Sequence, residues 1–328
     1  MRERGAMRAK NLLNAAIPMA LAVAVVAGCG AKNGGSESSA TAKSADVTAS
    51  SKSSSNTSSS SAVSTASFPI TMKHAYGETV IHAKPERVVT LDWNNADAVL
   101  ALGIVPVGTA RANWGPVTDK GLLPWTEAKF QELGTDNPNV FNDLEGYDYE
   151  AVAAAKPDII VAPYSGMDEK AYKRLSEIAP TLPFKETAWK TTWREQTVEA
   201  AEALGLTSEG EKLVADTDAF IKENFAKYPN LANKSAAICY INAADLSSFS
   251  VYRTADPRGA YLTDLGFTFP EKIEALATDK NAFYVQISSE LAVDALSDTD
   301  IIITYGDDKT VAALQKDAIF SKIPAVKE

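Results

Sequence analysis

The sequence predicts an α/β architecture: two lobes joined by one long helix. Three observations carry this expectation. Apolar strand runs alternate with short helices on both sides of the chain's middle, and two consecutive helices without a strand between them occupy the middle itself. An acid-led helix running into an apolar strand occurs once in each half.

The first lobe opens with Phe68–His74 and Glu78–His82, joined through Ala75-Tyr-Gly77, which read as a hairpin. His74 and His82 lie on it as exposed residues, since there is no further His or spare Cys with which they could hold a metal. Arg87–Leu91 is the next strand, Asn95–Leu102 a helix stopped by Gly103, and Val105–Thr109 another strand. Tyr149–Ala155 is helical and leads through Lys156-Pro-Asp158 into the buried strand Ile159–Ala162. Tyr172, Leu175 and Ile178 mark a helix that Pro180 ends, and Thr181–Phe184 a further strand. Strands separated by helices imply a parallel sheet covered on both faces.

The middle helices run over Thr192–Leu204 and Ser208–Tyr228, with Ser208 and Glu211 spaced as a capping box. At about 1.5 Å per residue the second is roughly 30 Å long, a strut able to reach from one lobe to the other. Alternation then resumes with Ala236–Asn242, Phe249–Tyr252, the helix Arg258–Leu265, the helix Ser288–Leu296 and the strand Ile301–Thr304. Tyr149-Glu150 leading to Asp158–Val161 is echoed by Ser289-Glu290 leading to Asp300–Ile303, so the lobes read as diverged copies. An acid in a helix's first turn is explained by the macrodipole alone. Its recurrence at matching places also allows a symmetric docking pair, Glu150 and Glu290.

Ahead of the body, Arg2, Arg4, Arg8 and Lys10 precede the apolar stretch Ala15–Gly28, which is too short to span a bilayer and reads as a signal h-region. Val26-Ala-Gly-Cys29 has the form of a bacterial lipobox, so Cys29 is the expected lipidation site. Residues from Gly30 to about Ser67 are mostly Ser, Thr, Ala and Gly, which cannot bury enough surface to offset ordering entropy. As a coil of about 38 residues this segment has an end-to-end distance of roughly 35 Å. The expected organisation is a signal peptide (1–28), a lipid-anchored Ser-rich tether (29–67), an N-terminal lobe (68–206), a linking helix (207–230) and a C-terminal lobe (231–328).

The chain of 328 residues has 32 Lys and Arg against 42 Asp and Glu, a net charge of −10. Such a body is repelled by phosphate backbones, so nucleic acid is excluded as a partner. Two His and two Cys leave little for a zinc centre, a Cys–His nucleophile or a disulfide scaffold. Cys239, in the strand-like run Ala236–Ile241, reads as a small core residue. The chain has no Gly-x-Ser-x-Gly elbow, no phosphate loop and no His-Glu-x-x-His, and no catalytic group is evident.

In open parallel sheets, ligands sit beyond the carboxyl ends of the strands. Aromatics and arginines recur there: Trp93, Arg111, Trp114 and Tyr164 in the first half, and Tyr252, Arg253, Arg258, Tyr284 and Tyr305 in the second. A single Trp or Tyr is ordinarily a packing residue. Recurrence at successive strand ends favours a cleft for a large, flat, anionic ligand, locally cationic inside an acidic protein. Trp189 and Trp193 fit either packing or cleft lining.

The lipobox, the Ser-rich tether, Lys84-Pro-Glu-Arg-Val-Val89, Ala101-Leu-Gly103, Ala155-Lys-Pro-Asp-Ile-Ile160, Asp256-Pro-Arg-Gly259 and Leu262-Thr-Asp-Leu-Gly-Phe267 together resemble the substrate-binding lipoproteins of iron–siderophore ABC importers. The resemblance runs from about Phe68 onward. It implies a class III periplasmic binding protein, with two Rossmann-like lobes bridged by a backbone helix and an interlobe site for a ferric siderophore whose own oxygens hold the iron. No protein metal ligand and no cofactor are expected. It also implies that Glu150 and Glu290 pair with arginines of a permease that works with an ATPase, and that the protein is a monomer anchored by Cys29 to the outer face of the cytoplasmic membrane. Family members continue beyond Phe320–Val326 with another strand and helix, so the second lobe is expected to be incomplete. Two alternatives stay open: a haem- or corrinoid-binding importer component, and a secreted carbohydrate-active enzyme or adhesin.

Overall fold

A computed structural model of the chain describes residues 67–327 except 144, 280 and 281. The leader, Cys29 and all of the Ser-rich segment but its last residue lie outside the described residues.

Strands β1 (Ile70–His74) and β2 (Gly77–Ile81) pair antiparallel as a hairpin, with Gly77 at φ 122° in the turn. His74 is buried, contrary to the sequence expectation. Its Nε2 lies 3.0 Å from Thr79 Oγ1, its ring meets Tyr172 edge-on, and burial lowers its pKa. His82 is exposed.

The first sheet contains β3 (Val88–Thr90), β4 (Gly108–Thr109), β5 (Ile159–Val161) and β6 (Thr181–Leu182), in the order β4-β3-β5-β6 and parallel throughout. Every residue of β3 and β5 is buried, because helices cover both faces. These helices are α1 (Asn95–Ala101), α2 (Pro124–Glu132), α3 (Tyr149–Ala154), α4 (Glu169–Ser176) and α5 (Trp193–Ala203). Asp148, Asp168 and Thr192 cap α3, α4 and α5 through their side chains, and Thr192 forms a full capping box with Glu195.

Helix α6 (Thr207–Phe225) follows α5 directly, and its 19 residues span about 28 Å. The expected Ser208 capping box is absent. The helix begins one residue earlier, and its N-cap, Leu206, has no side-chain acceptor. One end of α6 packs on α5, where a Cβ at Gly210 would overlap that of Ala201. At the other end the Phe225 ring meets Phe267 at 5.1 Å.

The second sheet is formed by β7 (Ala236–Ile241), β8 (Ser248–Tyr252), β9 (Tyr284–Ser288) and β10 (Ile301–Thr304), in the order β10-β7-β8-β9. Only β10 and β7 are parallel; β7–β8 and β8–β9 are antiparallel, which corrects the expectation of simple alternation. The short stretch from Asn242 to Ser247 cannot carry a parallel crossover, which needs a dozen or more residues. Helices α7 (Pro257–Asp264), α8 (Glu271–Ala275), α9 (Ser289–Ala295), α10 (Asp308–Lys316) and α11 (Pro324–Lys327) complete this half. Its core contains Cys239, Phe249, Ile287, Leu296 and Phe320. Burial raises the Cys239 thiol to about 12, consistent with a packing residue.

The repeat seen in the sequence recurs in the contacts. Asp158, before β5, accepts from the backbone N–H groups of Glu86 and Arg87 ahead of β3; Asp300, before β10, accepts from that of Ser235 ahead of β7. Each acid fixes a parallel pair of strands in register. Among the described residues no helix is long and apolar enough to cross a membrane.

Candidate functional site

Eight of the nine strand-end residues singled out by the sequence line one cavity of about 1220 Å³, together with Trp189: Trp93, Arg111, Trp114, Tyr164, Tyr252, Arg258, Tyr284 and Tyr305. Pockets for drug-sized ligands run from about 300 to 1,000 Å³, so this space suits a bulky ligand. Residues following β3, β4 and β5 form one wall, and residues of β7, β8, α7, β9 and the end of β10 the other. Trp114 and Tyr305 meet across the mouth, with ring centroids 6.3 Å apart and planes at 88°.

The floor of the first wall is held by Asn95. Its Nδ2 donates to the carbonyls of Leu91 and Tyr164, and its Oδ1 accepts from Tyr164 N and from Gln196 Nε2 on α5. One buried amide thus ties two strand ends to a helix and sets the position of Tyr164. Trp189, at φ 61°, donates its backbone N–H to the Ser165 carbonyl and lies over Gly166, where any Cβ would overlap the indole. Its ring meets Tyr164 edge-on at 5.3 Å.

On the second wall, Asp256 caps α7 and binds Arg258 through both carboxylate oxygens, at 2.8 and 2.7 Å. The guanidinium sits 3.7 Å from the Tyr252 ring centroid, so the cation is oriented from two sides. Gly259 is needed here because a Cβ would strike the Arg253 carbonyl.

Arg253 does not line the cavity. It is 2% exposed, pairs with Glu274, and donates to the carbonyls of Asp279 and Ala282. Lying one residue past β8, it turns inward and ties loops together, a role that sequence position alone did not separate from that of Arg258. Trp193 also faces packing, with Nε1 directed at Asp264 and Arg194 stacked on its ring. Glu150 and Glu290 are exposed in the first turns of α3 and α9, outside the cavity.

The cavity also contains residues that the sequence did not single out: Asp92, Asp97, Trp125, Asp143, Tyr147 and Tyr240. Trp125 donates Nε1 to Asp97, and Tyr147 donates its hydroxyl to Asp92 at 2.6 Å. Burial raises Asp92 to about 6 against the opposing hydrogen bond from Tyr147, and it also raises Asp97 and Asp143. Tyr240 had a signal in strand alternation, since its neighbours Cys239 and Ile241 are buried and it points outward.

These acids overturn the expectation of a cationic cleft. Asp92, Asp97, Asp143 and Asp256 face Arg111 and Arg258, an excess of two negative charges when all are ionised. Asp92 follows a strand, Asp97 lies in the first turn of α1, Asp143 precedes α3 and Asp256 caps α7, all ordinary places for an acid, so their convergence was hidden. Among the described residues no group of three His, Cys, Asp or Glu side chains is placed to hold a metal ion.

A family model described as periplasmic binding protein matches residues 88–328. The structure resembles PiaA of Streptococcus pneumoniae TIGR4 in complex with ferrichrome, at 46% identity and TM-score 0.74, covering 79% of this chain and 86% of that one. It also resembles Staphylococcus aureus SirA complexed with staphyloferrin B, at 27% identity and TM-score 0.62, over 79% and 87% of the two chains. The Fe(3+)-citrate-binding protein YfmC of Bacillus subtilis is 28% identical over 260 residues, 76% of this chain and 73% of that protein.

Proposed function

Because the chain belongs to the periplasmic binding protein family, we propose that it is the solute-binding component of an ABC importer, capturing a ferric siderophore between its lobes and delivering it to a membrane permease. The carrying observation is one large cavity into which both halves project rings and arginines. Arg258, held by Asp256 and stacked on Tyr252, offers a fixed cation to the chelate's oxygen-rich face. The surrounding Trp and Tyr rings supply apolar area at little entropic cost. Iron enters and leaves within its own chelate as cargo, and the protein supplies no reaction step.

The leader and lipobox support export and anchoring through lipidated Cys29, with the Ser-rich segment as a tether at the outer face of the cytoplasmic membrane. Glu150 and Glu290, exposed at matching places in the two halves, fit docking onto permease arginines.

The test is a titration of tryptophan fluorescence with ferric chelates, haem and a corrinoid. Four of the five tryptophans line the cavity, so a ferric siderophore should quench most of the emission saturably. Arg258→Ala and Arg111→Ala should each weaken binding by about tenfold or more. Unchanged affinity in both variants would remove the arginines from the site, and saturable binding of haem or corrinoid alone would reassign the cargo.

A further inference from the structure

The two walls of the cavity differ in charge. On the second wall Arg258 is neutralised by Asp256, leaving an oriented but balanced pair among tyrosines. On the first, Asp92, Asp97 and Asp143 face a single cation, Arg111. Asp92 is held in place by its own backbone conformation and by Tyr147. It follows β3 in the left-handed conformation, at φ 59°, and its Oδ2 accepts from Tyr147 Oη at 2.6 Å. The groups that act on it come from three connections. Tyr147 and Asp143 precede α3, the Gly166 backbone follows β5, and Arg111, which follows β4, gives its backbone N–H to Asp143 at 3.1 Å.

Resting on the reading of the cavity as a ferric-siderophore site, we propose that Asp92 makes it a charge filter: chelates with an ammonium or other cationic tail bind best, uncharged ones next, and anionic ones worst. The chelate then lies with its iron and oxygens toward Arg258 and its cationic tail toward Asp92. Polarity across the cavity would orient the ligand as well as select it. Because burial holds Asp92 near pH 6, and holds Asp97 and Asp143 above their usual range, acidification neutralises the filter and should erase the preference.

One linear ferric trihydroxamate made in three forms tests this: with its free ammonium tail, with that amine acetylated, and with it succinylated. The iron core is the same in all three, and the charge of the tail runs from positive through neutral to negative. Fluorescence titrations of the wild-type protein at pH 7.5 should show affinity falling on the order of tenfold at each step. The spread should collapse in Asp92→Asn, and in the wild type at pH 5.0. Equal binding of all three forms by the wild type at pH 7.5 would overturn the filter and leave the siderophore reading intact. Binding of none would remove that reading, and the filter with it. A full spread retained by Asp92→Asn would also overturn the proposal, as would one retained by the wild type at pH 5.0, which decides the matter if the variant does not fold.

Discussion

Glu199 shows what burial does to one charge. It lies on α5 with Oε2 buried and without a hydrogen-bond partner, and desolvation raises it to about 7, only partly offset by the charge of Lys185. A carboxyl that holds its proton more tightly in the folded than in the unfolded chain loses stability as pH rises from about 4.5 to about 7. Glu199→Gln removes that loss. The variant should be more stable than the wild type at pH 8, by on the order of 2 kcal/mol, and nearly equal to it at pH 4.5. Thermal unfolding at the two pH values checks this; an equal difference at both would assign the effect to packing instead. The same scale shows what a sequence conceals. Arg253 and Arg258 lie five residues apart near the same strand end, yet one is buried against Glu274 and the other faces the cavity, and only tertiary contacts separate them.

Among the elements, the α5–α6–α7 junction sets how the halves are held. Arg194 on α5 binds Asp218 on α6 at 2.5 Å and Asp264 on α7 at 2.6 Å, while Trp193 Nε1 shares Asp264. These groups are partly exposed, so the network contributes only about 1 kcal/mol to folding, and its greater effect is geometric. Arg194→Ala should therefore cost little in denaturant midpoint while broadening the distance between spin labels placed one on each half. An unchanged distance distribution would mean that the helices alone set the geometry. The long middle helix was legible because no strand signal interrupts residues 192–228, and the first sheet because β and α runs alternate cleanly. The antiparallel course of β8 and β9 was readable in principle from the short link after β7. Strand β9 was not legible: Tyr284 reads as a position beyond a strand end but opens the strand itself, in which Val285 and Ile287 alternate with Gln286.

At the scale of the molecule, two diverged halves in the class III periplasmic-binding-protein arrangement meet around one cavity, and each exposes a glutamate in the first turn of a matching helix. Reversing both, Glu150→Lys with Glu290→Lys, should abolish chelate uptake by cells while leaving affinity in solution within about twofold. Normal uptake by that double variant would place docking elsewhere. The aromatic part of the cavity was legible because Trp and Tyr at strand ends are conspicuous; its acids were not, since their effect depends on convergence in space. The most direct measurement of the central claim is anomalous diffraction at the iron edge from crystals grown with a ferric trihydroxamate. A single iron peak should lie within the cavity, between Arg258 and Tyr252 on one side and Trp93 and Asp92 on the other. A peak outside the cavity, in a protein shown by mass to carry the chelate, would contradict capture between the lobes.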